Sequence, residues 1–350
     1  MNTLERLSDY RFTASQLSRF RQLGEFRGRQ AHTLRQQPEI LDTLRQVATL
    51  ESVEYGNSLD HVLLDRSLIR KLVLKEMKPL TPVERQIAGY CDVLDMVVEP
   101  PEYMNVSVGL VRQLHAILYS YLPHEGGRWK ATNKDIVERD DSGAIKGILY
   151  RTVPAADTAR AMDDTVALYH GCLQRTIEPL LVVSCAVLDF LCVHPFSDGN
   201  GRISRLLALM MLSLNGYDVC RYISLERLFA VDEPHYFSAL QQSVKGWHEG
   251  THNPMPWINY FLDSLIKAYE ELEEKVEALR GRGSRAPKSQ LITNAIEQAG
   301  APFSVADICI QLPTVSRELV KKVVQQLREQ GRVRQVGKGR GAHWEKVDSR

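Results

Sequence analysis

Two stretches of this 350-residue chain are so uniformly apolar that they must lie inside whatever it folds into. Residues 179–193 read Pro-Leu-Leu-Val-Val-Ser-Cys-Ala-Val-Leu-Asp-Phe-Leu-Cys-Val, and residues 203–214 are again almost wholly apolar. The second run closes at Asn215-Gly216, a helix-stop signal. A helix that is apolar nearly all round is a buried one. The first run is too short, and is interrupted by Asp189, to span a membrane. Two buried helices joined by a short polar turn make a rigid mount for a reactive loop.

That turn and the start of the following helix read His194-Pro-Phe-Ser-Asp-Gly-Asn-Gly-Arg-Ile-Ser-Arg205. His194 can take a proton near neutral pH. Asp198 offers the hard oxygen that Mg²⁺ prefers. Gly199 and Gly201 let backbone N–H groups approach an anion with no side chain in the way. Arg202 and Arg205, three residues apart, share one helix face and can fork onto phosphate oxygens. The set is equipment for holding a metal-bound nucleotide and attacking its phosphate.

The same segment resembles the HPFx(D/E)GNGRxxR signature of the Fic family, and all nine specified positions match. The resemblance implies a protein adenylyltransferase with ATP and Mg²⁺ as cofactors. His194 would be the base that deprotonates a Tyr, Thr or Ser hydroxyl on a protein substrate. Phe196 would pack inward and fix the loop, and Asp198 would hold Mg²⁺ on the α- and β-phosphates. Asn200 and the backbone amides around Gly199 and Gly201 would support the phosphates, with Arg202 on the β-phosphate and Arg205 on the γ-phosphate. Attack at the α-phosphorus would leave AMP on the target, or on the chain itself, and release pyrophosphate. Positioning and charge stabilisation carry most of such a transfer. The intact glycines and arginines set the loop apart from kinase-like Doc variants. Removal of AMP, or another phosphate transfer, would use the same equipment.

Apolar residues at 44 % and charged residues at 25 % suit a soluble chain of two or three domains. No apolar stretch follows a basic start, so a signal peptide and a membrane partner are not expected. The six cysteines (Cys91, Cys172, Cys185, Cys192, Cys220 and Cys309) are scattered through apolar runs without a CxxC pair. They read as core thiols of a cytoplasmic protein.

Residues 1–104 read as an N-terminal helical domain. Apolar residues at Leu34, Ile40, Leu41, Leu44, Val47 and Ala48 mark one helical stretch, with Pro38 placed to start a new helix. Residues 67–75 and 83–97 show further apolar faces, and Pro100-Pro101 breaks the chain before a catalytic domain at 105–280. There, 106–121 reads as a helix. Residues 135–139 and 148–153, flanking Asp-Asp-Ser-Gly, read as a β-hairpin. In the Fic family a hairpin at this place, the flap, aligns the target backbone by strand addition. A long amphipathic helix over 257–280 closes the domain, and 281–288 is a linker.

Net charge is +1, yet residues 281–350 hold thirteen Lys and Arg against six Asp and Glu. Residues 289–350 predict three short helices and two strands around Gly337-Lys-Gly-Arg-Gly341, an order that resembles a winged helix-turn-helix. Lys321, Lys322, Lys338 and Arg340 would then meet DNA phosphates. Docking of a protein partner is the other expectation for this module, and a homodimer is left open. The whole chain is thus expected to be mainly α: a Fic fold, a helical bundle with a β-hairpin flap, plus a C-terminal winged helix-turn-helix. A DNA-binding regulator whose Fic domain senses nucleotide is the alternative function.

Many Fic proteins carry an inhibitory helix, (S/T)xxxE(G/N), whose Glu pairs with the second Arg of the loop. Residues 48–62 resemble its ESxxxSNxIEGx form when aligned on Glu51-Ser52 and Asn57. Gly56 then stands at the Ser/Thr place, Asp60 at the glutamate and His61 at the following Gly. A second register makes Glu54 the inhibitor, and a third reading leaves both acids solvated. Asp is one methylene shorter than Glu, so an ion pair to Arg205 requires a closer helix. Glycine at position 56 forgoes a side-chain hydrogen bond and weakens a helix by up to about 1 kcal/mol. Autoinhibition is therefore expected to be weakened or differently arranged.

Overall fold

A computed structural model describes residues 2–36, 38–101, 104–123, 126–139, 145–280, 288–299, 302–312, 315–336 and 343–346. Residues 281–287 of the expected linker (281–288), the hairpin turn (140–144) and the C-terminal hairpin tip (337–342) lie outside them, while Lys288 opens a helix.

The chain opens with a short 3₁₀ turn, Leu4–Asp9, followed by α1 (Ala14–Gln36) and α2 (Pro38–Ser58), with Pro38 at the start as expected. Asp65 caps α3 (Arg66–Val73) by accepting from the Ser67 amide. Thr81 and Glu84 form a capping box on α4 (Pro82–Val98), with Pro82 in its first turn. Ser107 caps α5 (Val108–Leu118). Strands β1 (Ile136–Arg139) and β2 (Ile145–Tyr150) pair antiparallel, Val137 opposite Ile148. Strand β2 thus starts three residues before the expected 148, with two irregularities in the register.

Helix α6 (Thr158–Gln174) leads into α7 (Pro179–Val193) and α8 (Asn200–Leu214), the two apolar runs. Both are buried along nearly their whole length. Helix α8 packs on α4, α5 and α7, and α7 packs on α6. Next come α9 (Leu225–Val231), α10 (Glu233–Val244) and the 26-residue α11 (Met255–Arg280), which lies along α1, α7 and α10. Asp189, the acid inside α7, has a clear purpose. Its carboxylate is fully buried and accepts from the amides of Thr3 (2.7 Å) and Leu4 (3.0 Å) and from Trp247 Nε1 (2.7 Å). A buried carboxylate needs such partners, and these fasten the N-terminal turn to the central helix.

Residues beyond 288 form a second apolar cluster, which includes Ile292, Ile308, Val320, Val324 and Val333. It is built from α12 (Lys288–Gln298), α13 (Val305–Gln311), α14 (Arg317–Glu329), β3 (Val333–Val336) and β4 (His343–Lys346). Phe303 extends the small sheet by two backbone bonds to Trp344, and α13 rests on α3. All six cysteines are buried free thiols. No described helix is long and apolar enough to cross a membrane.

Candidate active site

Helix α7 ends at His194, which takes the left-handed conformation (φ 50°, ψ 61°) while its N–H still reaches Phe190 O at 2.9 Å. A non-glycine residue there is uncommon and must be held by its surroundings. Phe196 is fully buried, stacked on His115 with ring centroids 3.7 Å apart and tilted against Trp129 at 5.0 Å.

Asn200 closes the loop. Its Oδ1 accepts from the Phe196 N–H (2.9 Å) and its Nδ2 donates to Phe196 O (2.8 Å). Asn200 is 2 % exposed, so both ends of its amide brace the loop. Asn200, expected beside the phosphates, thus has both ends of its side-chain amide engaged within the loop.

Burial, then the neighbouring Lys130 cation, pushes the His194 imidazole down to about 4. The ring is therefore neutral at pH 7, and its Nδ1 is buried with no hydrogen-bond partner among the described residues. Asp198 lies across the loop with its side chain 72 % exposed. Partial burial acts to raise its carboxyl, but the Tyr119 hydroxyl, the Gly199 amide and the Arg202 and Lys134 charges outweigh this and hold it below the ordinary value. Tyr119 Oη donates to Asp198 Oδ2 at 2.7 Å. His115 accepts from the Gly127 N–H at Nδ1 (2.9 Å), so its Nε2 is the protonated nitrogen and donates to Asp198 O at 3.0 Å.

Gly199 opens α8 at φ 75°, where a Cβ would stand 3.0 Å from the Tyr119 ring. Arg202 is 2 % exposed; it donates to Gln86 Oε1 (3.1 Å) and Tyr119 Oη (3.3 Å) and lies 3.8 Å from Asp198 Oδ2. The Nε atoms of both Arg202 and Arg205 are buried without a partner among the described residues. His115, Tyr119 and Gln86 are site residues that the sequence did not mark, since each arrives from at least 79 positions away along the chain.

Arg205 is 4 % exposed and already engaged. Its Nη2 donates to Gly56 O at 2.7 Å and forms a hydrogen-bonded ion pair with Asp60 Oδ2. Of the two expected registers, the structure therefore brings Asp60 to the loop. Glu54 pairs instead with Arg66 at 3.1 Å. The shorter acid reaches because glycines line the approach. A Cβ on Gly201 would sit 2.9 Å from Asp60 Oδ1, and one on Gly56 would sit 2.2 Å from the Tyr90 hydroxyl.

That hydroxyl donates to Glu226 Oε1 at 3.1 Å, and Ser52 Oγ donates to Glu226 Oε2 at 2.8 Å. The space where the family pattern has a Ser or Thr side chain is thus filled by Tyr90, so Gly56 is required by contact. The expected deficit of a weak helix at Gly56 is in fact what lets α2 approach. Gly56→Ala is expected to destabilise the fold by about 1–3 kcal/mol despite alanine's better helix propensity, read as a lowered melting temperature. An unchanged melting temperature would mean that Tyr90 moves aside freely.

Residues 105–212 match the family model described as the Fic/DOC family. Among solved structures, the chain is similar to a Fic family protein from Desulfovibrio desulfuricans G20 (TM-score 0.62, 16 % identity, covering 97 % of this chain and 98 % of that one). It is also similar to a Fic domain containing signaling protein from Bacteroides thetaiotaomicron (TM-score 0.58, 18 % identity, 77 % and 99 % covered). A third is Fic-1 from C. elegans, residues 134–508 (TM-score 0.57, 17 % identity, 77 % and 74 % covered). At these identities the solved structures speak for the fold, and the matched segment contains the whole loop, all of α7 and α8 as far as Leu212. Residues 105–212 of this chain are a Fic/DOC family domain.

Proposed function

We propose that this chain transfers AMP from ATP, with Mg²⁺, to a Tyr, Thr or Ser hydroxyl of a protein and of itself, and that Asp60 restrains the reaction. The observation that carries this reading is the head of α8. There two buried guanidinium Nε groups lack acceptors beside one exposed carboxylate. Buried donors without acceptors suit a polyphosphate. A single carboxylate suits Mg²⁺, which takes one or two from protein and the rest of its shell from phosphate and water. Bound MgATP would supply an electrophilic phosphorus and a pyrophosphate leaving group.

The residues then divide the work. Asp198 holds the metal, kept ionised and aimed by Tyr119. The first amides of α8 and Arg202 hold phosphate oxygens. Arg205 takes the terminal phosphate once Asp60 lets go. His194, neutral at pH 7, accepts the proton of the target hydroxyl as its oxygen bonds to phosphorus. The β1–β2 pair is a two-stranded sheet with Ile145, Ile148 and Leu149 exposed, which offers a free edge and apolar side chains to an extended target segment.

The test is incorporation of ATP labelled at the α-phosphate into the chain and into a cell lysate, with His194→Ala beside it. Label that needs His194 supports AMP transfer. No label in the natural chain or in Asp60→Ala would favour the nucleotide-sensing regulator. A gel shift on DNA with and without ATP would then test the module beyond residue 288.

A further inference from the structure

Lys130 grips the chain on both sides of His194. Its backbone N–H donates to Pro195 O at 2.9 Å, and its ammonium donates to Val193 O at 3.0 Å. The residue between those two carbonyls is the one in the left-handed conformation. The same ammonium donates to Thr152 Oγ1 at 2.8 Å, and Thr152 in turn donates to Lys134 O at 2.9 Å. The Thr152 N–H reaches Asp135 Oδ1 at 3.3 Å. Thr152 follows β2, while Lys134 and Asp135 precede β1. Lys130 is 3 % exposed, an unusual place for an ammonium whose nearest hydrogen-bonding partners are neutral oxygens.

We propose that Lys130 is a positioning residue, which fixes the backbone on either side of His194 and locks that base to both feet of the β1–β2 hairpin. Its catalytic consequence rests on the AMP-transfer reading; the grip itself does not. Conformation and target alignment would then be set by one side chain, so that base and acceptor hydroxyl meet in register. The charged groups facing His194 are Lys130, Lys134 and Asp198, and the acid facing Lys130 is Asp135. Burial brings the Lys130 ammonium down to about 8, so it is largely a cation at neutral pH and helps keep the imidazole unprotonated.

The experiment uses the full chain with Lys130→Met, Lys130→Arg and Thr152→Val. It reads His194 by NMR titration, assigned against His194→Ala, and reads α-labelled AMP incorporation with KM for ATP. Lys130→Met is expected to raise the His194 titration by about half a pH unit or more. It should lower kcat about tenfold or more with KM for ATP changed less than about twofold, because the phosphate-holding groups are elsewhere. Lys130→Arg should recover part of the rate. Thr152→Val keeps the cation and should leave the titration in place while lowering transfer to the protein acceptor.

A Lys130→Met chain with unchanged titration and unchanged kcat overturns the proposal. Where Lys130→Met does not fold, Thr152→Val decides, and unchanged transfer in it overturns the link to the hairpin. No AMP transfer by the natural chain or by Asp60→Ala, with the His194 titration still moved by Lys130→Met, would remove the transfer reading and leave the grip standing.

Discussion

His194→Ala is expected to lower AMP transfer by a factor of about 10²–10⁴, the usual worth of a positioned general base, while nucleotide affinity stays within about twofold. The separation follows from the geometry. The imidazole stands at the end of α7, whereas the polyphosphate would lie at the head of α8 on the amides, Arg202 and Asp198. Lys130 bonds to Val193 O and Pro195 O do not involve the imidazole, so the loop keeps its shape when the ring is removed.

The pH profile carries a second signature. An ordinary histidine would be half protonated near pH 6.5, and a reaction needing its neutral form would fall through that region. Burial and the Lys130 cation lower the His194 value to about 4. The neutral base therefore persists as pH falls, with only about 1 % protonated at pH 6. Transfer rates in the natural chain should show no loss from this group between pH 8 and pH 5.5. Residual transfer in His194→Ala within tenfold of the natural chain would show that another group takes the proton.

The central helices were legible because α7 and α8 are buried all round, and sequence then needs no partner to reveal them. Pro38 likewise acts within one turn of itself, so that helix start is readable in the sequence. Helices α6, α9 and α10 escaped notice since their polar and apolar residues mix, as in Thr158–Gln174, and only packing against α7 and α11 selects the helical state. The loop 194–205 was legible as chemistry for the same local reason.

What the sequence hid is all long-range. His115 and Tyr119 sit on an ordinary-looking helix and become site residues only because α5 crosses the loop. Asp189 looked like an interruption of an apolar run, and its partners, Thr3, Leu4 and Trp247, are far from it along the chain. Asn200 matched a pattern whose side-chain role, read here from its two bonds to Phe196, is to brace the turn. Gly56 shows the limit best: judged alone it weakens a helix, and judged against Tyr90 it is the residue that allows contact.

Asp60→Ala is expected to raise self-modification about tenfold or more. The reason is the state of Arg205, which is almost wholly buried and spends Nη2 on Asp60 and on Gly56 O, leaving it turned toward α2. A guanidinium so occupied cannot also receive a terminal phosphate. Removing Asp60 leaves the buried Arg205 charge uncompensated, although Asp60 is itself 27 % exposed, so the cost falls below the about 3–5 kcal/mol typical of a fully buried pair. Glu226, buried nearby, offsets part of that cost, although its oxygens already serve Ser52 and Tyr90.

The variant should therefore melt at a lower temperature than the natural chain without nucleotide, and MgATP should raise its melting temperature by more than it raises the natural chain's. Both effects have one cause: a polyphosphate supplies the negative charge that the mutation removed, so binding and stability are linked. Asp60→Asn keeps the shape and loses the charge, and should behave as Asp60→Ala does if charge is what holds Arg205. Glu54→Ala should leave self-modification nearly unchanged, since its partner is Arg66. An Asp60→Ala chain that melts lower but labels itself no faster would mean that the pair stabilises α2 against the core without restraining the site. If Glu54→Ala were the faster enzyme, the restraint would lie in α2 as a whole rather than in the pair with Arg205.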